Sequence, residues 1–392
     1  MASIPTKTKN SLFLETLRSI KDKPYERGFS LPGAFYTDPD WLQTERNELF
    51  ARDWFCVGRV EEVSQPGDYF AFDHIGEPIL VVHGRDGEIR ALSNVCRHRG
   101  TVVAEGSGNA KKFLCPYHHW AYDTAGQLLN APHLDSHEVF NLQQCRLPEL
   151  KCEFWQGFIF VNLNPRAASL KKQLAPLDAV IDDYHLEQMY LRYLAEETWE
   201  TNWKCLLENF MEGYHLTPLH KYTLHKVNPS RLCTHLQPGK RHFGYSVGFT
   251  ERLPDDRIGH PDLSDEQMDT CVMFALPPGL TVGIGSDYSS FLCLRPQATD
   301  RVRVKMGLIF YGDHWSQQDV DDAIKLFQHT MAEDKEVLIR VQQGLGSRFH
   351  EPGRWRRAIS RVPSGIFTSI SVTASHRQRN QADSGIETRE TL

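Results

Sequence analysis

The chain has 392 residues, of which 40% are apolar and 24% charged, a composition normal for a folded protein and long enough for two domains. A formal net charge of −6 argues against a nucleic-acid surface, and no stretch approaches the roughly 18 uninterrupted apolar residues that span a membrane. Nine cysteines, an odd set scattered through a long chain, fit reduced thiols plus a metal site better than a disulfide framework. The opening "MASIPTKTKNSLFLETLRSIKDK" has no sustained apolar run of the secretory kind, so a cytoplasmic protein is expected.

Residues 1–44 carry one weakly amphipathic helical segment, "SLFLETLRSIKD", and then a Gly/Pro-containing link. From 45 to 165 the text is strand-like. "DYFAFD", "PILVVHG" and "EIRALSNV" are rich in β-branched and aromatic residues and are punctuated by turns such as "RDGE". "FWQGFIFVNLNP" closes this region, with Asn164-Pro165 as a natural boundary. Beyond it, "WKCLLENFMEGYH" has helical character and is expected to run to the break at Pro218. "TVGIGSDYSSFLCLRP" and "VRVKMGLIFYG" read as strands, and "QQDVDDAIKLFQHTMAEDKEVLIRVQQGL" as a long helix. The expected domains are therefore 1–44, 45–165 and 166–362. A polar tail, 363–392, lacks periodicity and is expected to be disordered.

Two Cys/His pairs fall in the strand-like region, each just after a strand: Cys96-x-His98 and Cys115-x-x-His118. Two thiolates on one iron and two imidazoles on the other is the ligand set of a Rieske [2Fe–2S] cluster. The alternative is a structural Cys2His2 zinc site. It is disfavoured because the first pair is separated by one residue, whereas zinc sites usually place two to four between their cysteines. Gly100 and Pro116 suit tight loops that aim the ligands.

A second constellation lies in "NWKCLLENFMEGYHLTPLH". On a continuous helix Glu208, Glu212 and His215 would share one face at i, i+4 and i+7. His220 follows beyond Pro218. His215 and His220 can supply two corners of a 2-His-1-carboxylate triad, which binds non-haem Fe(II) and keeps open positions for O2. The carboxylate must come from elsewhere. Asp334, in "MAEDKEV", is the choice, with Glu333 and Glu336 as fallbacks. His225 extends the spacing but is read as a loop or supporting histidine.

Together these motifs resemble the catalytic α subunits of the Rieske non-haem iron oxygenases, over about residues 33–353 and in the family's order and spacing. By that resemblance Cys96, His98, Cys115 and His118 hold the cluster and His215, His220 and Asp334 hold the iron. The resemblance implies an α+β fold: an all-β Rieske domain plus a helix-grip catalytic domain with a large antiparallel sheet. It also implies a homotrimer in which electrons cross from a neighbour's cluster. Most members have an aspartate three residues before the first iron histidine to bridge the two centres. Here Glu212 stands there, as in the branch that oxidises quaternary ammonium compounds such as carnitine and betaines. Glu212 and Glu208 are taken as the catalytic candidates. Two departures stand out. His119 occupies a position usually held by glycine, and the chain after Arg354 does not look like the family's final helix.

The resemblance implies a monooxygenase component that takes electrons, ultimately from NAD(P)H, through a separate flavin- and iron–sulfur-containing reductase. No G-x-G-x-x-G fingerprint follows a strand in this chain, which agrees with an external reductase. Hydroxylation of an N-methyl group would give a product that collapses to formaldehyde and the demethylated amine. An ammonium head favours aromatic walls, for which Phe210, Tyr214, Phe274 and Tyr288 are candidates, although core packing is the plainer reading of each. The alternatives are oxygenation or demethylation of an aromatic acid and a non-catalytic Rieske electron carrier. A carrier would leave the segment from Glu208 to His220 without a use.

Overall fold

The structure is a computed structural model that describes residues 9–21, 29–134, 140–237, 239–250 and 258–353; the expected disordered tail lies outside them. The chain divides into two compact units, one spanning Ala51–Leu170 and the other combining the residues before and after it. Among the described residues no helix is long and apolar enough to cross a membrane. None of the nine cysteines is in a disulfide.

The Ala51–Leu170 unit is built from ten strands: β1 Phe55–Arg59, β2 Asp68–His74, β3 Glu77–His83, β4 Ile89–Ser93, β5 Ser107–Asn109, β6 Phe113–Leu114, β7 Ala121–Tyr122, β8 Leu128–Asn130, β9 Glu149–Trp155 and β10 Phe158–Asn162. Seven of them form one antiparallel sheet in the order β1-β10-β9-β4-β3-β2-β5, and β6-β7-β8 form a small second sheet. The run "PILVVH" is continuously apolar because both faces of β3 are covered, and successive side chains point to opposite faces. Leu80 and Val82 enter a core with Leu92, Cys96, Cys115, Trp120 and Tyr122, while Ile79 and Val81 enter a separate one with Phe55, Val57 and Ile159. The first of these cores is the floor beneath both Cys/His loops.

The second unit contains α1 Lys9–Lys21, α2 Ala34–Thr37, α3 Pro39–Glu45, α4 Leu170–Ile181 from its second residue, α5 Trp203–Phe210, α6 Asp265–Met268 and α7 Gln317–Leu345. Its sheet has seven strands: β11 Tyr190–Trp199, β12 Cys233–His235, β13 Phe243–Gly248, β14 Thr270–Leu276, β15 Leu280–Ile284, β16 Tyr288–Ala298 and β17 Arg301–Phe310. They pair antiparallel in the order β11-β17-β16-β15-β14-β13-β12. Helix α7 packs against α5 and β11, and α5 against β14 and β16, which makes the helix-grip arrangement. Ser316 and Asp319 form a capping box that starts α7, satisfying donors the first turn would leave open.

Helix α5 differs from its sequence reading. It ends at Phe210, with Met211 already outside the helical region, so Glu208, Glu212 and His215 do not share a helical face. The Glu212 carboxylate accepts the Tyr214 N–H at 2.5 Å, a local bond that competes with helix continuation. Gly213, a poor helix former, lets the chain pass close to Cys233, where an added Cβ would collide with the sulfur.

The start of α5 is anchored by a buried charge pair. Lys204 Nζ lies 2.7 Å from Glu45 Oε1, and both side chains are about fully buried, at 1% and 0% exposure. The indole N–H groups of Trp41 and Trp203 donate to the same carboxylate at 2.9 and 3.0 Å. Lys204→Ala would leave Glu45 buried without its cation. This change is expected to destabilise the protein by about 3–5 kcal/mol in chemical denaturation.

Candidate metal centres

The two Cys/His loops share one backbone design. Cys96 N–H donates to Thr101 O at 2.8 Å and accepts, through its carbonyl, from Gly100 N at 3.0 Å; Cys115 N–H donates to Trp120 O at 2.8 Å and its carbonyl accepts from His119 N at 3.0 Å. Gly100 (φ 76°) and His119 (φ 57°) therefore hold equivalent left-handed positions. That geometry costs an L-residue about 1–2 kcal/mol and glycine nothing, which is why glycine is the usual occupant. His119 is exposed and is placed by its loop rather than by a ligand role.

Cys96 and Cys115 are buried, while His98 is exposed and His118 half-buried. The two imidazoles approach with ring centroids 4.5 Å apart, and His98 stacks flat on Trp120 at 4.8 Å and 5°. His118 Nδ1 is buried with no hydrogen-bond partner. Desolvation, then the charges of His98 and Arg99, lowers the His118 pKa. A buried, neutral, unpartnered nitrogen fits a metal ligand. Tyr122 Oη accepts the Arg97 N–H at 3.0 Å and sits 3.3 Å from Cys96 Sγ, so its own proton is free to point at the sulfur. The donor set and its burial fit an iron–sulfur cluster with its histidine edge toward solvent.

In the other unit His215, His220 and Asp334 each direct one donor atom to a common point, all within 4.8 Å of one another. Asp334 Oδ1 is 3.3 Å from His220 Nε2 and 3.7 Å from His215 Nε2. Each imidazole is held through its other nitrogen: His215 Nδ1 by Glu212 Oε1 at 2.6 Å and His220 Nδ1 by Glu333 Oε2 at 2.7 Å. Thr223 Oγ1 also donates to Glu333, and Asn209 Nδ2 to Asp334 Oδ1 at 2.9 Å. Burial pulls the His220 pKa down, but the Asp334 and Glu333 carboxylates outweigh it and leave it raised. The site thus favours positive charge, and carboxylates that grip ligand imidazoles are the usual support of a metal. His225 turns to Thr217 Oγ1, and exposed Glu336 pairs with Arg340. Glu333 was a fallback ligand in the sequence and emerges as the partner of a histidine instead.

The triad opens on a cavity of about 330 Å³. Its walls are mostly apolar and include Phe210, Tyr245, Phe249, Tyr288 and Phe327, with one further carboxylate, Asp287. Of the four aromatic candidates, Phe210 and Tyr288 line it. Phe274 is in the core and Tyr214 is half-exposed to solvent. Tyr245, Phe249 and Asp287 were not singled out in the sequence. Burial first, and Asp287 next, raises the Tyr288 phenol's pKa, so it stays neutral.

These two centres, a Cys2His2 pair of loops on a small β unit and a two-histidine, one-carboxylate site under a helix-gripped sheet, define a Rieske-type oxygenase. The sequence profile of the Rieske [2Fe-2S] domain matches residues 53–148, and that of the ring hydroxylating alpha subunit (catalytic domain) matches residues 179–358. The carnitine monooxygenase oxygenase subunit of Acinetobacter baumannii is 30% identical over 345 residues, covering 86% of this chain and 91% of that protein. The glycine betaine monooxygenase oxygenase subunit of Chromohalobacter salexigens is 34% identical over 199 residues, 50% of this chain and 44% of that one. Among solved structures, the quaternary ammonium Rieske monooxygenase CntA superposes with a TM-score of 0.79 at 25% identity, covering 91% of this chain and 98% of that one; its complex with substrate L-carnitine gives 0.75. The chain belongs to the Rieske non-haem iron oxygenases as a catalytic α subunit. It is an oxidoreductase whose cofactors are a Rieske [2Fe–2S] cluster and a mononuclear iron.

Glu208 lies away from the triad's donor atoms. Both its oxygens lie 2.8 Å from the Tyr36 hydroxyl that donates to them. Burial pushes its pKa up to about 7, against partial relief from Tyr36 and Lys204. The unfolded chain releases this proton near 4.5 and the folded chain near 7, so folding binds the proton between these values. The contribution of Glu208 to stability is therefore fully present below pH 4.5 and should fall by about 3 kcal/mol as pH rises to 7, at 1.36 kcal/mol per unit. Glu208→Gln should remove that part of the slope in denaturation curves taken across the window.

Proposed function

We propose that this chain is the oxygenase subunit of a monooxygenase that hydroxylates a carbon bonded to the nitrogen of a quaternary ammonium compound, a betaine or carnitine-like molecule. The observation that carries the reading is the cavity over the triad: apolar and aromatic, with the Asp287–Tyr288 pair as its charged and aromatic corner. A trimethylammonium head is a cation without hydrogen-bond donors. It is held by an aromatic face and a nearby carboxylate rather than by directed bonds. An aromatic acid would meet repulsion from Asp287. The relatives that act on carnitine and glycine betaine support the same substrate class.

In this reading Cys96, His98, Cys115 and His118 hold the cluster, and His215, His220 and Asp334 hold the iron. Once held there, the cluster would supply single electrons and the iron would supply the chemistry that activates O2. Glu212 and Glu333 fix the tautomers of His215 and His220 so that each Nε2 lone pair faces the metal position. Glu212 would also be the carboxylate that links this iron site to the cluster of a neighbouring subunit in a homotrimer. Glu208 is a positioning residue that fixes Tyr36 against α5. The apolar cavity wall excludes water from the reacting centre. Electrons come from NAD(P)H through a separate reductase with flavin and iron–sulfur groups. Oxidation of an N-methyl group inserts one oxygen atom from O2 and sends the other to water. The N–CH2OH product would then lose its hydroxyl proton and break its C–N bond, the electron pair staying on nitrogen, to release formaldehyde and a tertiary amine.

Asp334→Ala should keep the Rieske absorption and EPR signals while iron drops from about three to about two per chain and turnover is lost. Retention of all three irons would move the carboxylate role elsewhere. With a surrogate reductase and a panel of betaines, carnitine, choline and aromatic acids, turnover should be confined to the cations. Asp287→Asn should raise KM for them about tenfold, equal to about 1.4 kcal/mol, with little change in kcat. Turnover of aromatic acids instead would overturn the substrate assignment.

A further inference from the structure

A second cluster of metal-binding side chains lies outside the triad and shares no residue with it. His185, His260 and Asp262 each offer one ligand atom, and these atoms all lie within 4.8 Å of one another. His185 sits between two short 3-10 turns, Asp182–Tyr184 and Leu186–Gln188, in the left-handed region at φ 46°. His260 and Asp262 come from the chain just before α6.

Both imidazoles direct a nitrogen at the same carboxylate oxygen: His185 Nε2 is 2.9 Å and His260 Nδ1 3.6 Å from Asp262 Oδ2. The rings lie against each other with centroids 3.8 Å apart at 37°. His260 Nδ1 also accepts the Asp262 N–H at 3.2 Å, so this nitrogen carries a lone pair rather than a proton. Glu187 Oε1 stands 3.3 Å from the other nitrogen of His185. That places a carboxylate behind a candidate ligand imidazole, as Glu212 and Glu333 stand behind the triad histidines. Asp262 is 60% exposed and His185 26%, so an ion can enter from solvent.

We propose that His185, His260 and Asp262 form a second, structural site for a divalent transition-metal ion of the zinc type, with Glu187 as its supporting carboxylate. Two imidazole nitrogens and one carboxylate oxygen suit Zn2+ and disfavour Mg2+ and Ca2+, which take all-oxygen sets. The ion would sit where two rings and one carboxylate already converge, and it would bridge the His260 lone pair and the Asp262 oxygen, which no proton joins. Its effect would be to clasp the turns before β11 to the segment before α6. The turns before β11 are also tied to α6 itself, by Gln267 Nε2 to Asp183 Oδ2 at 3.0 Å and by Tyr184 Oη to Gln267 O at 3.4 Å. The clasp reaches toward the cavity: the His260 ring packs on Tyr311 at 5.4 Å, and Tyr311 N–H donates to Asp287 O at 2.8 Å.

The test uses iron-loaded holoenzyme dialysed against Zn2+, with zinc and iron quantified together. Wild type should retain one zinc per chain with its iron content unchanged, and zinc K-edge absorption should show imidazole ligands. His185→Ala, His260→Ala and Asp262→Asn, which each remove a ligand, should weaken zinc binding tenfold or more, and Glu187→Gln should weaken it by the 10–100-fold that supporting residues command. Asp334→Ala and the exposed-surface control His329→Ala should keep the zinc, which separates this site from the triad and from stray histidines. Zinc should raise the melting temperature of wild type and leave that of His185→Ala unmoved. If His185→Ala does not fold, His260→Gln carries the same comparison. Zinc retained equally by the His185 and His260 variants, zinc lost on Asp334→Ala, or no zinc held by wild type with full iron content would each overturn the proposal.

Discussion

The seam between α5 and α7 is the constraint on which the catalytic centre depends. His215 and His220 follow the end of α5, and Asp334 belongs to α7, so no local feature brings them together. Three hydrogen bonds set the seam. Asn202 N–H donates to Gln342 Oε1 at 2.9 Å, Thr201 Oγ1 to Leu338 O at 3.2 Å, and Asn209 Nδ2 to Asp334 Oδ1 at 2.9 Å. From the start of α5 to its end the partners on α7 move from Leu338 and Gln342 back to Asp334. The last of these bonds orients the ligand carboxylate itself. The buried Lys204–Glu45 pair then fixes the start of α5 against α3, so the helix can neither slide nor roll without uncovering a charge.

The same logic of borrowed support appears in the electrostatics. Three carboxylates, Glu212, Glu333 and Asp334, surround two imidazoles. Asp334 faces the point where the Nε2 atoms converge, and the other two hold the far nitrogens. A dication would offset two of these three charges, and Asp334 and Glu333 raise the His220 pKa despite burial. The β unit uses a different device. There the loops are fixed by their own backbone ladders, and the unpartnered His118 nitrogen and two buried cysteines stand ready as ligand atoms.

Local patterns were legible in the sequence and distant pairings were not. The strands of the β unit could be read because alternation, β-branched residues and Gly or Asp turns all agreed, and α7 could be read from its length and period. The Cys/His ligands were legible because each pair is confined to one loop. Asp334 lies far along the chain from its histidine partners, so the sequence could name it only as a choice with Glu333 and Glu336 as fallbacks, and the family resemblance pointed to the same residue. Glu333 shows why. Adjacent helix positions point about 100° apart, yet Glu333 and Asp334 reach opposite nitrogens of one imidazole, which is a property of docking and not of spacing. The helical reading of Glu208 through His215 failed because Glu212 bonds the Tyr214 N–H and Gly213 follows it. Of the aromatic candidates Phe274 failed by parity: Met273 and Cys271 face the cavity along β14, so Phe274 faces the core.

His119 shows how the two levels meet. In its loop it stands where Gly100 stands in the other, and both must take a left-handed backbone so that the cysteine carbonyl can accept their N–H. The sequence marks it as a departure from a glycine position; the backbone explains why glycine is favoured there and what the departure costs. That cost is about 1–2 kcal/mol, small against the burial of two cysteines, Trp120 and Tyr122 in the floor beneath, so the loop keeps its shape. A residue that resembles a competing metal ligand in the sequence is, in the fold, a strained turn residue turned to solvent. The neighbouring His118, one residue earlier and with a buried unpartnered nitrogen, is the one the loop presents to a cluster.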